Sequence, residues 1–408
     1  MTVKELRFNN ETDLFTGRRI VNHSPEHVVQ AGLGGIVQAH GLIDHATNTL
    51  FGSTIDKSLV ESMPVFRSLI GMKTRRGDPI RVKTDSPDFE ILGNAPVRKP
   101  TQGVPPWTVD ELPDGKHGIR ISADNLNRAK EIARHALRSL NKSPEQIVEA
   151  SARHVVTYAP PVGLSIGLGG PVDLRAIAKS CVNALAVHLT PDVVLNGPFK
   201  RIRDYVLHGV TNYKQLLNGH YDPQPKFACW DTRNDIFLPL PNECSLGLVD
   251  HRLVIRGCKS KGTVYATFEL FGNLPTSVLL TDEWTSESFC WGLITNPVPG
   301  SRPCWSGKLP LETRPSLSAA EVMLHKTENE KLKTCTAALV QTVLRIAENQ
   351  VRADIITDCL AECFGPLDGR PITEEMIGEL SACVAERIVT HMYRLDSRTE
   401  ISLSPNDF

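Results

Sequence analysis

The apolar positions of the first seventy residues change period part-way along. Glu26-His27-Val28-Val29 and Gly41-Leu42-Ile43 are short apolar stretches set between Gly-containing turns; from near Asn48, Leu50, Phe51, Ile55 and Leu59 recur at helical spacing. The order predicted is strand, turn, strand, helix, with Gly34-Gly35 in the turn because residues without Cβ tolerate positive φ. Residues 77–122 are rich in Pro, Asp and Gly and predict a connector or an edge β segment. Leu126, Ala129, Ile132, Ala133 and Leu137 predict a helix over Asp124 to Ser139, and Ser143-Pro144-Glu145-Gln146 predicts another helix start, Ser capping and Pro in the first turn. Further helices are expected over about Asp173 to Leu189 and Phe199 to His208. Ile236-Phe237-Leu238, Leu253-Val254-Ile255, Val264 to Phe268 and Val278-Leu279-Leu280 are β-prone runs between turn residues and predict an antiparallel sheet. Pro-rich Asn296 to Pro315 predicts a linker, followed by helices from about Ser318 to Ala361 and Thr373 to Tyr393. The fold class is therefore α+β: a ββα unit at 1–76, a connector or edge at 77–122, a helical and antiparallel-β domain at 123–300, and a helical region at 301–408.

Composition narrows the class of protein. A chain of 408 residues with 41% hydrophobic side chains predicts two or three folded domains. The 45 basic and 46 acidic side chains nearly cancel, so no global field recruits a polyanion and nucleic-acid binding needs a local basic patch. The ten cysteines all lie from Cys181 onward, with no C-x-x-C pair to read as a zinc site. Cys359 and Cys363 have a spacing that could share a metal, but two buried thiols on one helix face fit better. The start MTVKELRFNN has no apolar run, and no segment reaches membrane-spanning length, so a reducing cytoplasm and no membrane are the expectation.

Candidate chemistry concentrates in Ser24-Pro25-Glu26-His27-Val28-Val29, Leu33-Gly34-Gly35, Asn48, Gly52 and Asp56. Phosphodiester hydrolysis needs an activated water, a cation on the phosphate oxygens and stabilisation of the leaving oxygen. His27, whose ordinary pKa lies near neutrality, suits the proton acceptor, and Glu26 offers a hard oxygen to Mg²⁺. Asn48 and Asp56 are eight residues apart, a little over two helical turns, and so are expected on one side of the helix. Gly52, between them, would let a sugar-phosphate backbone approach.

This pattern resembles the HNH endonucleases, the ββα-metal family, and above all those with an E-H-[VI]-x-x-x-x-L-G-G core; the match runs from about Leu14 to Gly77. The resemblance implies His27 as general base and Glu26 and Asn48 as metal ligands, with Asp56, a downstream acidic position, counted in the same metal set. It also implies Mg²⁺ or Mn²⁺ as cofactor, 3′-hydroxyl and 5′-phosphate products, and nucleic acid as substrate, DNA ahead of RNA. A restriction or antiphage effector is the corresponding expectation from analogy. Many relatives brace this module with two C-x-x-C pairs. Here Asp13-x-x-Thr16 and Asp44-x-x-Thr47 stand in those places, so no structural zinc is expected and Asp–Thr hydrogen bonds are the candidate brace. Weaker echoes of proteins carrying the module occur at Ala176-Ile177-Ala178-Lys179 and Glu269-Leu270-Phe271-Gly272. The alternative is a catalytically inactive HNH-like nucleic-acid-binding or scaffold protein; a third has the later regions sensing a ligand or partner that activates the nuclease.

Lys73, Arg75 and Arg76, followed by Arg81 and Lys83, either track phosphates or form a solvated surface offset by Asp78 and Asp85. His23, His40 and His45 fit loop or surface positions, His45 being the one worth testing as a substitute ligand. Gly163 to Gly170 lacks both the Lys-Ser/Thr ending of a P-loop and dinucleotide-fingerprint spacing, and predicts a turn before the next helix, on which Lys179 is exposed or paired. The apolar stripes of the last helices predict core or a homo-oligomer surface.

Overall fold

The computed structural model describes residues 4–74, 76–86, 89–93, 95–98, 107–111, 117–123, 126–139, 147–158, 170–209, 227–228, 248–298, 305–309, 328–365, 373–392 and 395–405. Helices and sheets are both present, in an α+β arrangement. Two compact units interleave along the chain. Met1–Val82, Ile91–Ala95 and Ser165–Ala347 form the first, and Lys83–Glu90, Pro96–Leu164 and Glu348–Phe408 the second.

The first unit opens on a three-stranded sheet. Strand β1 (Lys4–Arg7) runs parallel to β3 (Val37–Asp44), and β2 (His23–His27) pairs with β3 antiparallel, giving the order β1-β3-β2. Helices α1 (His45–Ser53), α2 (Ile55–Ser62) and α3 (Pro64–Leu69) follow. The single helix expected from Asn48 through Asp56 is therefore two. It starts earlier, at His45 on the Asp44 cap, and breaks at Thr54. The hydroxyls of Ser53 and Thr54 both donate to the carbonyl of Leu50, the local side-chain bonding that competes with a continuing helix. Phe51, Ile55 and Leu59 are buried as the periodicity requires, whereas Leu50 is half exposed.

Two glycines set the turn between β2 and β3. Gly34 has φ +89°, and a Cβ there would stand 2.6 Å from the Pro297 Cα. A Cβ on Gly35 would stand 1.8 Å from the Val29 carbonyl oxygen, so close backbone approach, not φ, excludes a side chain at that position.

Three short strands, β4 (Arg81–Lys83), β5 (Phe89–Leu92) and β6 (Ala95–Arg98), show that residues 77–122 include short β segments. In the second unit, β7 (Trp107–Glu111), β8 (His117–Ala123), the final strand Leu395–Pro405 and β9 (Ile147–Tyr158) form an antiparallel sheet in that order. Helix α4 (Leu126–Ser139) lays Ile132, Ala136 and Leu137 against Ile119 and Ile121 of β8. Ser143 to Gln146 lie outside the described residues, and the helix expected to follow them is the strand β9. Val155-Val156-Thr157-Tyr158 favours a pleated strand, and pairing along the final strand outweighs the local capping signal. The same unit holds a helical hairpin: helix Glu374–Met392 returns along the stretch of helix Glu328–Phe364 that follows Ala347, joined by an Arg387–Glu362 ion pair.

The first unit continues with α5 (Pro171–Leu189), α6 (Pro191–Asn196) and α7 (Lys200–His208). Strands β10 (Phe227–Ala228), β11 (His251–Cys258), β12 (Thr263–Leu270), β13 (Leu274–Thr281), β14 (Phe289–Thr295) and β15 (Trp305–Lys308) make the expected antiparallel sheet, ordered β10-β13-β12-β11-β14-β15. Ile236 to Leu238 lie outside the described residues, and the predicted linker after Asn296 contains β15. Every residue of β12 is buried, as a central strand covered on both faces requires. One core joins Leu14, Phe51 and Phe66 of the N-terminal segment to Ala178 and Leu185 of α5, to Leu253 and Phe268 of the sheet and to Phe271 of the β12–β13 turn. Among the described residues no helix is long and apolar enough to cross a membrane.

Candidate functional site

The alternation of β2 sends neighbouring side chains to opposite faces: Ser24 and Glu26 are buried, His23 and Pro25 are exposed, and His27 is half-buried. The pairing with β3 shifts register between Ser24 and Glu26. Opposite the shift, Gly41 adopts φ +80° and its carbonyl accepts from the Asn10 amide. Asn48 of α1 secures this irregular end: its Nδ2 donates to Ser24 Oγ at 2.8 Å and to the Pro25 carbonyl at 3.1 Å. His27 is thereby presented at a strand end pinned by the next helix. The Gln38 amide nitrogen lies 2.9 Å from His27 Nε2, which as placed makes Nε2 the acceptor and leaves the ring hydrogen on Nδ1. Gly52 has open space where a Cβ would stand.

Glu26 faces inward, to a group whose partners the sequence alone leaves open. Lys179 of α5 places its Nζ 2.5 Å from Glu26 Oε1 and 2.6 Å from Asp56 Oδ2, with 2% of its side chain exposed against 3% and 16% for the carboxylates. Asn183, one helical turn on, donates to the same Glu26 oxygen at 3.0 Å. Gln30 donates to Asp56 Oδ1 at 3.1 Å and accepts from Ser180 Oγ. The ammonium also sits 5.3 Å from the centroid of the Phe51 ring. Burial pulls the Lys179 pKa down, but Glu26 and Asp56 more than offset it, so the ammonium is held charged. Glu26 is raised, first by burial and further by Asp56, against the pull of Lys179, because two carboxylates share one cation.

This arrangement bears directly on the metal implied by resemblance. Glu26 and Asp56 converge on an ammonium, while the Asn48 amide nitrogen donates to Ser24 and the Pro25 carbonyl. As they stand, the two carboxylates hold Lys179 in the place where a divalent cation would need them. Among the described residues no group of three or more His, Cys, Asp and Glu is arranged to hold a metal ion. Sequence reasoning misses Lys179 and Asn183 as partners of Glu26. The available signal is a lysine set in the Ala-rich, apolar run Ala176 to Ala186, where a charge needs a buried counter-ion.

The positions of the absent zinc knuckle hold a different brace. Asp13, fully buried, accepts from the backbone N–H groups of Phe15 and Thr16 on one oxygen and of Asp44 on the other. Asp44 accepts from Val21 and Asn22 on one oxygen and from Ala46, as the α1 cap, on the other. The carboxylates thus tie both loops through backbone amides, in place of the expected Asp–Thr side-chain bonds. These donors, those of Asn22 and Ala46 foremost, hold the Asp44 carboxyl below its ordinary value. Thr16 accepts from the Arg18 N–H, and Thr47 is buried in α1.

The second sequence echo also reaches this region. His251 Nδ1 accepts from the Phe271 N–H at 3.0 Å, so Nε2 carries the hydrogen and donates to the Leu33 carbonyl at 2.7 Å. Arg67 Nε donates to the carbonyl of Gly32 in the same turn. Burial lowers the His251 pKa from its ordinary 6.5 to about 4. The unfolded chain therefore binds a proton that the folded chain refuses between those values. Stability is full above pH 6.5 and falls as pH drops towards 4, by about 2 kcal/mol from this group between pH 7 and pH 5. Urea titrations at the two pH values are expected to show this loss in the wild type and a smaller one in His251→Gln.

Lys73 and Arg76 are exposed on a tight hairpin closed by Thr74 N–H to Asp78 O and Gly77 N–H to Thr74 O; Arg75 lies outside the described residues. Arg81 and Lys83 are exposed as well. His23 and His45 are exposed and His40 is half-buried, 3.8 Å from Glu5. Gly170 immediately precedes α5, while Gly163 to Gly169 lie outside the described residues. No family model, curated protein or solved structure matches this chain.

Proposed function

We propose that this protein acts on nucleic acid through the β2–β3–α1 corner, as an endonuclease of the HNH kind with His27 as the proton acceptor. The observation that carries the reading is the coupling of Asn48 to the β2 end: a strand–strand–helix order in which the helix asparagine fixes the backbone just ahead of a half-buried imidazole. Gln38 sets the ring orientation, His27 takes the proton of the attacking water at Nε2 once the Gln38 amide turns away from that lone pair, and the open surface at Gly52 leaves room for the sugar-phosphate backbone. The exposed Lys73, Arg76 and Arg81 supply a local positive edge in a chain whose net charge is near zero. DNA stands ahead of RNA as substrate, and a restriction or antiphage role is the corresponding biology. Glu26 and Asp56 are engaged by Lys179, so the chemistry assigned to this corner is that of His27.

One observation favours a second reading, a nucleic-acid-binding or scaffold module without turnover: the ammonium of Lys179 already pairs with both Glu26 and Asp56. Supercoiled plasmid, linear duplex and single strands, each incubated with Mg²⁺, Mn²⁺ or EDTA, separate the two. Cleavage with 5′-phosphate ends supports the nuclease. Binding without cleavage of any substrate supports the scaffold, and absence of both sinks the nucleic-acid proposal altogether. Lys73→Ala with Arg76→Ala is expected to lower the salt slope of binding by about 2, roughly 0.9 for each phosphate no longer neutralised.

A further inference from the structure

The helical hairpin of the second unit brings three thiols together. Cys359 and Cys363 are one turn apart on helix Glu328–Phe364, and Cys383 faces them from helix Glu374–Met392. All three are reduced, with Cys359 buried and the other two half-buried. Cys383 Sγ lies 2.7 Å from Cys359 Sγ, and Cys383 is near enough to Cys363 to add to the upward push that burial gives that thiol. A disulfide needs about 2.05 Å between sulfurs, a small movement from this starting point. Arg387, one turn beyond Cys383 and anchored on Glu362, places positive charge beside Cys383 and Cys359. Thiols held this close to one another offer sulfur exchange.

We propose that Cys359 and Cys383 form a thiol–disulfide exchange site that reacts with low-molecular-weight disulfides of the glutathione class and closes to an interhelical disulfide. The partly exposed Cys383 starts the exchange. Its thiolate attacks one sulfur of glutathione disulfide, the S–S bond breaks, and one glutathione leaves with the proton given up by Cys383. Cys359 then attacks the Cys383 sulfur of the mixed disulfide, and the second glutathione leaves with the Cys359 proton. Two protein thiols are oxidised by two electrons, and one glutathione disulfide is reduced to two thiols. Burial, first, and the Cys383 thiol push Cys359 up to about 11, which suits a resolving thiol that meets only its neighbour rather than one that starts the reaction. Cys363 is placed as a second resolving thiol.

The test uses the full reduced chain with glutathione disulfide, alkylation of remaining thiols under denaturing conditions, and peptide mass mapping. A cross-linked Cys359–Cys383 peptide pair that dithiothreitol releases is expected, unchanged in Cys363→Ser and absent in Cys383→Ser. In Cys359→Ser, the adduct on Cys383 is expected to persist or to pass to Cys363. A wild-type chain that keeps both thiols free under conditions that oxidise a small dithiol control would overturn the proposal. So would a lasting glutathione adduct on Cys383 of the wild type without cross-linking. Both readouts come from the wild type, so a poorly folding variant does not decide the matter.

Discussion

Lys179→Met is expected to unfold in urea with a loss of about 3–5 kcal/mol at pH 7, the cost of removing one partner from a buried ion pair. The substitution keeps the length and apolar stem of the side chain, so packing changes contribute little. What it removes is the only cation that the triad shows for Glu26 and Asp56. Two carboxylates are left facing each other out of water, and the unfolded chain, where each is solvated, gains in comparison. The pH dependence identifies the cause. Without Lys179 the folded-state pKa of Glu26 lies still further above its unfolded value. Folding then takes up a proton, and the deficit shrinks as pH falls from about 7 to about 5. Glu26→Gln and Asp56→Asn added to Lys179→Met should recover most of the loss. A single variant within about 1 kcal/mol of wild type at pH 7, the worth of a surface pair, would show that the triad is not formed.

Should the wild type cut, His27→Ala is expected to lower the rate by about 10²–10⁴-fold, the usual worth of a positioned general base. Melting temperature and duplex affinity should change little, because His27 is only half-buried and Asn48, not His27, holds the strand end. His27→Gln should be as inactive as His27→Ala, since glutamine has the bulk without the basic nitrogen. Rate constants at saturating duplex, with gel-shift affinities on the same preparations, make the measurement. Unchanged cutting in His27→Ala would remove His27 from the chemistry. A rate loss matched by weaker affinity would make it a binding residue instead.

Local patterns are the legible part of this chain. The strand–turn–strand order, the Gly34-Gly35 turn and the sheet around β11 to β13 follow from short-range periodicity and from glycine, and the structure has all of them. The Thr54 break leaves no trace in the apolar pattern, because Phe51, Ile55 and Leu59 keep one buried stripe across it. Strand β9 is hidden because its pairing partner lies at the far end of the chain. At the candidate site, Glu26 and His27 stand side by side in the sequence, yet the two-residue period of a strand sends them to opposite faces. The partner that claims Glu26 lies on α5, and no local spacing could announce it.

The clasp of His251 on the Leu33 carbonyl spans 218 residues, and the bond from Lys179 to Asp56 spans 123. During synthesis the amino-terminal segment therefore emerges from the ribosome well before the groups that neutralise Glu26 and fasten its glycine turn. Until α5 and β11 arrive, Glu26 and Asp56 are better solvated than buried, and the apolar face of α1 and α2 has no lid. Contacts of such sequence separation favour slow folding, with a waiting period in which the nascent segment is exposed to aggregation or to capture by a chaperone.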